Sequence, residues 1–214
     1  MTPQSQPPTL DATELAKRFG RRLLFRDLTF SLRGGESLAV TGANGSGKST
    51  LLRILAGVMT PTRGGVTLRL NGETVKPQEH PHHVGLVAPY LNVYEGFSPR
   101  ENLRFIARAR RLAGEGERIA RVLERVELTD RADDLVSTFS SGMRQRVKFA
   151  AAVLVEPPVL LLDEPNVNLD AAGLAMVRGI VGDHLGAGGL LVVATNDEVE
   201  ADRHERALRI EDFR

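Results

Sequence analysis

The 214-residue sequence predicts an α/β fold built on a mainly parallel sheet with flanking helices. Three observations carry this reading. Short apolar runs of strand length alternate with helical patterns. A glycine-rich loop lies directly between one such run and one such helix. The stretch 98–140 is helical in pattern and holds no good strand, so it reads as a helical lobe inserted into the α/β core.

Taken in order, residues 2–9 are Pro, Ser, Gln and Thr with little to bury, so 1–9 predict a flexible tail, with folded structure beginning near Leu10. Strands are expected at DLTFSL (27–32), SLAV (37–40), VTLRL (66–70), VGLVA (84–88), VLLLD (159–163), LLVVAT (190–195) and ALRI (207–210), most bounded by Gly, Asn or Pro. Leu51, Leu52, Ile54 and Leu55 before Gly57 give one helical pattern, and Ile119, Val122, Leu123 and Val126 another. Ser98-Pro99-Arg100-Glu101 starts a helix at 99, with a Ser cap, Pro at the first helical position and Glu at the capping-box position. With 42% hydrophobic and 26% charged residues the chain fits one domain, 10–214, with its core over 10–97 and 141–214 and its helical subdomain over 98–140.

A formal net charge of +1 gives no electrostatic footprint for a polyanion, so no nucleic-acid partner is expected. The absence of cysteine excludes disulfides and thiolate metal sites. The first residues show no basic stretch followed by an apolar one. The longest apolar runs, PVLLL and LLVVA, fall far short of the roughly 20 residues of a membrane span, so any membrane role requires a partner.

Gly42, Ala43, Asn44, Gly45, Ser46, Gly47, Lys48 and Ser49 fit the pattern GxxxxGK[ST] after the strand SLAV, and open the helix KSTLLRILAG. Such a loop turns its N–H groups inward and adds the positive end of a helix, cradling the β-phosphate of a nucleotide. The binding set runs from Gly42 to Thr50, with Lys48 on the β- and γ-phosphates and the Ser49 hydroxyl on Mg²⁺. Asp163 and Glu164 end the apolar run VLLLDEP, where α/β folds place ligand chemistry. Asp163 is expected to hold Mg²⁺, and Glu164 to act catalytically on the water that attacks the γ-phosphate.

The phosphate loop, FSSGM at 139–143, VLLLDEP at 159–165 and NLD at 168–170 resemble, in order and spacing, the ATP-binding cassette of ABC ATPases over residues 10–211. The resemblance implies a P-loop NTPase core with an N-terminal antiparallel β subdomain and an inserted helical subdomain. It implies ATP and Mg²⁺ as cofactors and ATP hydrolysis as the activity. In the family two cassettes close head to tail, so Ser140, Ser141 and Gly142, at the signature position, are expected to meet the nucleotide of the partner subunit, as is Asp170. Ser140 or Ser141 also reads as a helix cap, for a helix running to about Val155. Phe19 stands where the family has an aromatic that stacks on adenine.

Two positions depart from the pattern. The usual Gln falls at Pro89, and the usual His is replaced by Asn196, which donates a hydrogen bond but carries no positive charge. These imply slow hydrolysis with binding intact. Ser141 for Gly and Met143 for Gln are milder changes.

The resemblance implies the ATPase subunit of a transporter, acting as a homodimer or heterodimer beneath a separate membrane permease at the cytoplasmic face of the membrane. The SSGM-type signature looks most like that of exporters, including the haem-export type. Two alternatives remain: an ATP-gated clamp with little hydrolysis, favoured by Pro89 and Asn196, and a soluble non-transport ABC ATPase. The second is disfavoured by the single phosphate loop and the lack of a long coiled coil. His80, His82 and His83 read as a solvent-exposed group rather than a metal site. Arg100, Arg104, Arg108 and Arg111 read as one basic stripe on the helix begun at Pro99, facing solvent, acidic protein or anionic lipid.

Overall fold

The computed structural model describes residues 6–214. Two sheets organise it. Strands β1 (Thr9–Phe19), β2 (Arg22–Arg33), β4 (Arg63–Leu70) and β5 (Glu73–Thr74) form an antiparallel sheet in the order β2-β1-β4-β5. Strands β3 (Ser37–Thr41), β6 (Val84–Val87), β7 (Val159–Asp163), β8 (Leu190–Ala194) and β9 (Arg206–Arg209) form a parallel sheet in the order β6-β7-β8-β3-β9. The helices are α1 (Lys48–Leu55), α2 (Pro99–Ala109), α3 (Glu115–Arg125), α4 (Ser141–Val153), α5 (Ala171–Gly186) and the short α6 (Glu198–Ala201).

The parallel strands lie between two apolar layers, and their alternation divides them. Val159 and Leu161 of β7 face the layer shared with α1 and the antiparallel sheet, whereas Leu160 and Leu162 face the layer shared with α2–α5. Leu190, Val192 and Ala194 of β8 join the first layer, and Leu191 and Val193 the second. Burial on both faces explains why these strands read as unbroken apolar runs. Polar groups are thereby confined to the strand ends. Val87 pairs with Leu162, Asp163 with Ala194, and Val40 with both Ala194 and Leu208, so the carboxyl ends of the strands form one edge.

The expected strands are all present, with ends shifted by a few residues. The longest addition is β1, whose pattern is broken by register shifts between Ala12 and Leu15 and between Leu15 and Lys17. Glu14 there takes φ 47° and its N–H donates to Thr29 Oγ1 at 2.9 Å. A bulge re-aims the side chains and erases the period-2 signal. Of the expected tail, residues 1–5 lie outside the described residues. The reading of 1–9 as a tail is corrected at its end: Thr9 is already in β1, and the Pro8 carbonyl accepts from Gly34 N–H at 2.8 Å.

The stretch 98–140 contains α2, α3 and two short 3₁₀ turns, and no strand. The capping box at Ser98 and Glu101 is formed in both directions, at 3.2 and 2.9 Å. Arg111 lies beyond the end of α2 with φ 53°, so the expected stripe keeps only Arg100, Arg104 and Arg108 on the helix. Arg100 is bonded to Asp133 at 2.7 and 3.1 Å, and Arg108 approaches Glu115 at 3.5 Å.

Leu51 anchors α1, and through it the glycine-rich loop, into the first apolar layer and is fully buried. Leu51→Ala is expected to cost about 2–5 kcal/mol. In urea unfolding this reads as a lower midpoint at unchanged slope; an unchanged midpoint contradicts the anchoring role.

Candidate functional site

Six residues, 42–47, join β3 to α1. Gly47 is the residue before the first helical turn, with φ 121° and ψ 4°, a conformation that residues with a Cβ avoid. A Cβ there would also sit 3.3 Å from Leu24 Cβ. Gly47 has no side chain to cap the helix, so the first N–H groups of α1 remain free to meet an anion.

The loop is held by two groups that no motif signals. Arg22 Nη2 donates to the Gly45 carbonyl at 2.9 Å, and Ala43 N–H donates to Glu211 Oε1 at 2.7 Å. Glu211 lies in a 3₁₀ turn after β9, and its carboxyl is held below the usual carboxylate range, against the effect of burial, by backbone N–H groups and nearby arginines.

Lys48 is the first residue of α1, with a side chain only 6% exposed. Its Nζ donates to the Gly42 carbonyl at 2.6 Å and the Ala43 carbonyl at 3.4 Å, and lies 3.7 Å from Glu164 Oε1. Asp163 is the last residue of β7 and is 2% exposed. Burial raises its pKa, opposed by the Ser49 hydroxyl and by the charges of Lys48 and Arg53. One of its oxygens, Oδ2, is buried without a hydrogen-bond partner, and so is Ser46 Oγ. Glu164 is likewise raised by burial, against the pull of Lys48 and of the Asn196 backbone N–H.

Glu164 sits at φ 49°, in the left-handed region unusual for a residue with a side chain. Its N–H donates to the Ala194 carbonyl at 2.9 Å, which locks this turn against β8. Such strain is sustained where the surroundings over-determine it, and it gathers at functional sites.

These groups share a cavity of about 370 Å³ lined by Phe19, Arg22, Leu24, residues 44–50, Asp163 and Glu164. Phe19 is 51% exposed at the end of β1, with Lys17 Nζ 5.0 Å from its ring centroid. Gly42 and Ala43 instead border a neighbouring hollow together with Asn196. Asn196 thus meets the site through its backbone N–H on Glu164. A cavity of about 340 Å³ between α5 and α6, of mixed polar and apolar lining, shares no residue with the loop.

Ser140, Ser141, Gly142 and Asp170 do not line the 370 Å³ cavity. Ser140 Oγ accepts from Met143 N–H at 3.2 Å and caps α4, which ends at Val153 rather than near Val155. A Cβ on Gly142 would sit 2.9 Å from the Asn168 carbonyl, so the start of α4 packs closely on the loop before α5. Asp170 caps α5, accepting from Gly173 N–H at 2.8 Å. Pro89 follows β6, and its carbonyl accepts from Lys148 Nζ at 3.4 Å.

The three histidines do not share one environment. His80 is buried, with Nε2 3.2 Å from the Val75 carbonyl, contrary to the solvent-exposed reading. His82 Nδ1 lies 2.8 Å from Arg110 Nη1.

Residues 25–167 match the family model described as ABC transporter. The chain is 37% identical over 194 residues to the cytochrome c biogenesis ATP-binding export protein CcmA of Hyphomonas neptunium, covering 90% of this chain and 92% of that protein. It is 33% identical to the linearmycin resistance ATP-binding protein LnrL of Bacillus subtilis, covering 89% of this chain but 62% of that longer protein. Among solved structures, the ATP binding subunit of an ABC transporter superposes with TM-score 0.80 at 28% identity, covering 91% of this chain and 82% of that one. A dimeric ATP-binding cassette in a post-hydrolysis state bound to ADP and Pi superposes with TM-score 0.81 at 23% identity, covering 94% and 93%, a likeness of fold.

Burial gives Asp163 a stability signature. Its pKa is raised above the ordinary 3.8, so between that value and the raised one the folded chain keeps a proton that the unfolded chain releases. Its contribution to stability therefore falls as pH rises through that window. Asp163→Asn removes this dependence and is expected to melt higher than the parent, without nucleotide, at neutral pH, with the difference closing below the ordinary value. Thermal melts across pH check this; a variant that melts lower at neutral pH contradicts it.

Proposed function

The chain belongs to the ABC transporter family, and from that premise we propose that it is the ATP-hydrolysing subunit of a transporter, driven by closure of two cassettes over ATP. The observation that carries the reading is the convergence of Lys48, Asp163 and Glu164 on the cavity that also holds the uncapped start of α1 and the exposed Phe19 ring.

Each residue then has one task. Phe19 offers its ring face to adenine. The N–H groups of residues 44–50 bind the β-phosphate, and Lys48 Nζ, already held among oxygen acceptors, turns to the β- and γ-phosphate oxygens. The unpartnered Asp163 oxygen beside the Ser49 hydroxyl suits a hard cation that keeps some water and phosphate ligands. Ser49 and Asp163 would hold Mg²⁺, which when bound draws charge from the phosphate oxygens. Glu164 orients the attacking water and takes its proton at the carboxylate, as the bond from the γ-phosphorus to the bridging oxygen breaks and ADP leaves. Its raised pKa improves its match to that task near neutral pH.

Ser140, Ser141, Gly142 and Asp170 lie outside this cavity, which accords with their acting on the nucleotide of a second cassette. We assign 98–140 as the helical subdomain that, with the 84–97 segment, faces a separate permease. Among the described residues no helix is long and apolar enough to cross a membrane, so membrane attachment at the cytoplasmic face runs through that permease. The export and resistance functions in the relatives' names support an export direction. Hydrolysis is slow, because Pro89 offers no side-chain hydrogen bond and Asn196 no charge. A second reading, an ATP-gated clamp with little turnover, is favoured by the same two residues.

Glu164→Gln is expected to abolish phosphate release while leaving ATP affinity intact and trapping an ATP-bound dimer, seen by light scattering. Equal turnover in parent and variant removes the role given to Glu164; ATP-dependent dimers without turnover in either select the clamp. Ser140→Asp separates the two roles of that residue. Asp keeps the cap on α4, so the melting temperature holds, while its charge repels phosphate and ATP-driven dimerisation is lost. An unimpaired dimer leaves Ser140 as a cap alone.

A further inference from the structure

The loss of a polar side chain at Pro89 leaves open how the segment after β6 is held to the phosphate site. Two contacts answer this. The Arg53 guanidinium carbon lies 3.8 Å from the centroid of the Tyr90 ring, a close cation–π stack. Arg53 is on α1 one turn beyond Ser49, hence on the same face of the helix that opens at the phosphate loop. The close partner of the Arg53 side chain is Tyr90, through its ring and through a hydrogen bond at its hydroxyl. Both side chains lie within electrostatic reach of Asp163. On the other side, the Pro89 carbonyl accepts from Lys148, two turns along α4 from the Ser140 cap.

Resting on the function proposed above, we propose that Arg53 and Tyr90 are positioning residues: their stack ties α1 to the segment after β6 and, through Pro89 and Lys148, sets α4 relative to the phosphate loop. The stack replaces a side-chain hydrogen bond at position 89 by a contact one residue later. It requires an aromatic face at 90 and a cation at 53, and the Tyr90 hydroxyl, itself hydrogen-bonded to Arg53, reinforces it. Nucleotide is bound by the loop without it, whereas closure of two cassettes needs α4 correctly placed.

The test uses ATP-driven dimerisation in the full chain carrying Glu164→Gln, where turnover does not intrude. Tyr90→Ala and Arg53→Met are each expected to raise the ATP concentration for half-maximal dimer by about tenfold, the scale of a partly desolvated cation–π contact. Affinity of the single cassette for a fluorescent ATP analogue stays unchanged, and the melting temperature falls by no more than a few degrees. Tyr90→Phe, which keeps the ring and loses only the hydroxyl's bond to Arg53, is expected to be impaired less than Tyr90→Ala, and the double variant to be no worse than the worse single one. Unchanged dimerisation in Tyr90→Ala, a Tyr90→Phe defect equal to that of Tyr90→Ala, or additive losses in the double variant each overturn the tether. A Glu164→Gln parent that binds ATP and never dimerises overturns the proposed function, and the tether with it.

Discussion

The structure depends on taking two opposite charges out of water at one end of a parallel sheet. Lys48 and Asp163 are almost fully buried, and the Lys48 ammonium is held there by the Gly42 and Ala43 carbonyls and by Glu164. The strands leave no choice of place. In β7 and β8 the side chains are apolar on both faces, so polar chemistry sits at the carboxyl ends, where β3 hands over to the loop and β7 ends in Asp163. Burial on both faces is therefore the condition of the site as much as of the fold. The same arrangement makes the charges respond strongly to whatever enters, because field strength rises as water is excluded.

Much of this was legible. The motif Gly42–Ser49, the apolar run ending in Asp163 and the capping box at Ser98 are local signals, and local signals survive in a sequence. Four features were not legible, each for a physical reason. Strand β1 is disguised by its bulges, which put Glu14 and Leu15 out of alternation. Arg22 and Glu211 hold the loop through backbone atoms, and a backbone partner leaves no pattern in residue types. The left-handed turn at Glu164 depends on the Ala194 carbonyl, a residue thirty positions away in sequence. His80, read as exposed, is buried because its ring finds the Val75 carbonyl, another backbone partner.

Several residues proposed to meet a partner cassette already have a task in the single chain. Ser140 caps α4 and Asp170 caps α5, and in both cases the oxygen that closes the helix end stands at the surface. Gly142 lies against the Asn168 carbonyl, so these two caps are neighbours in space. Helix capping fixes such side chains in one rotamer before any partner arrives, which lowers the entropy lost on association. A surface built from caps is in this sense already ordered.

The bond from Ala43 to Glu211 spans 168 residues. Its consequence concerns the order of synthesis. β3 is flanked by β8 and β9, both made more than 140 residues after it, and the loop that β3 carries receives its last support from residue 211. A nascent chain emerging from the ribosome therefore has its glycine-rich loop in hand long before the neighbours that shape it, and the loop takes its final form only once nearly the whole of these 214 residues has been made.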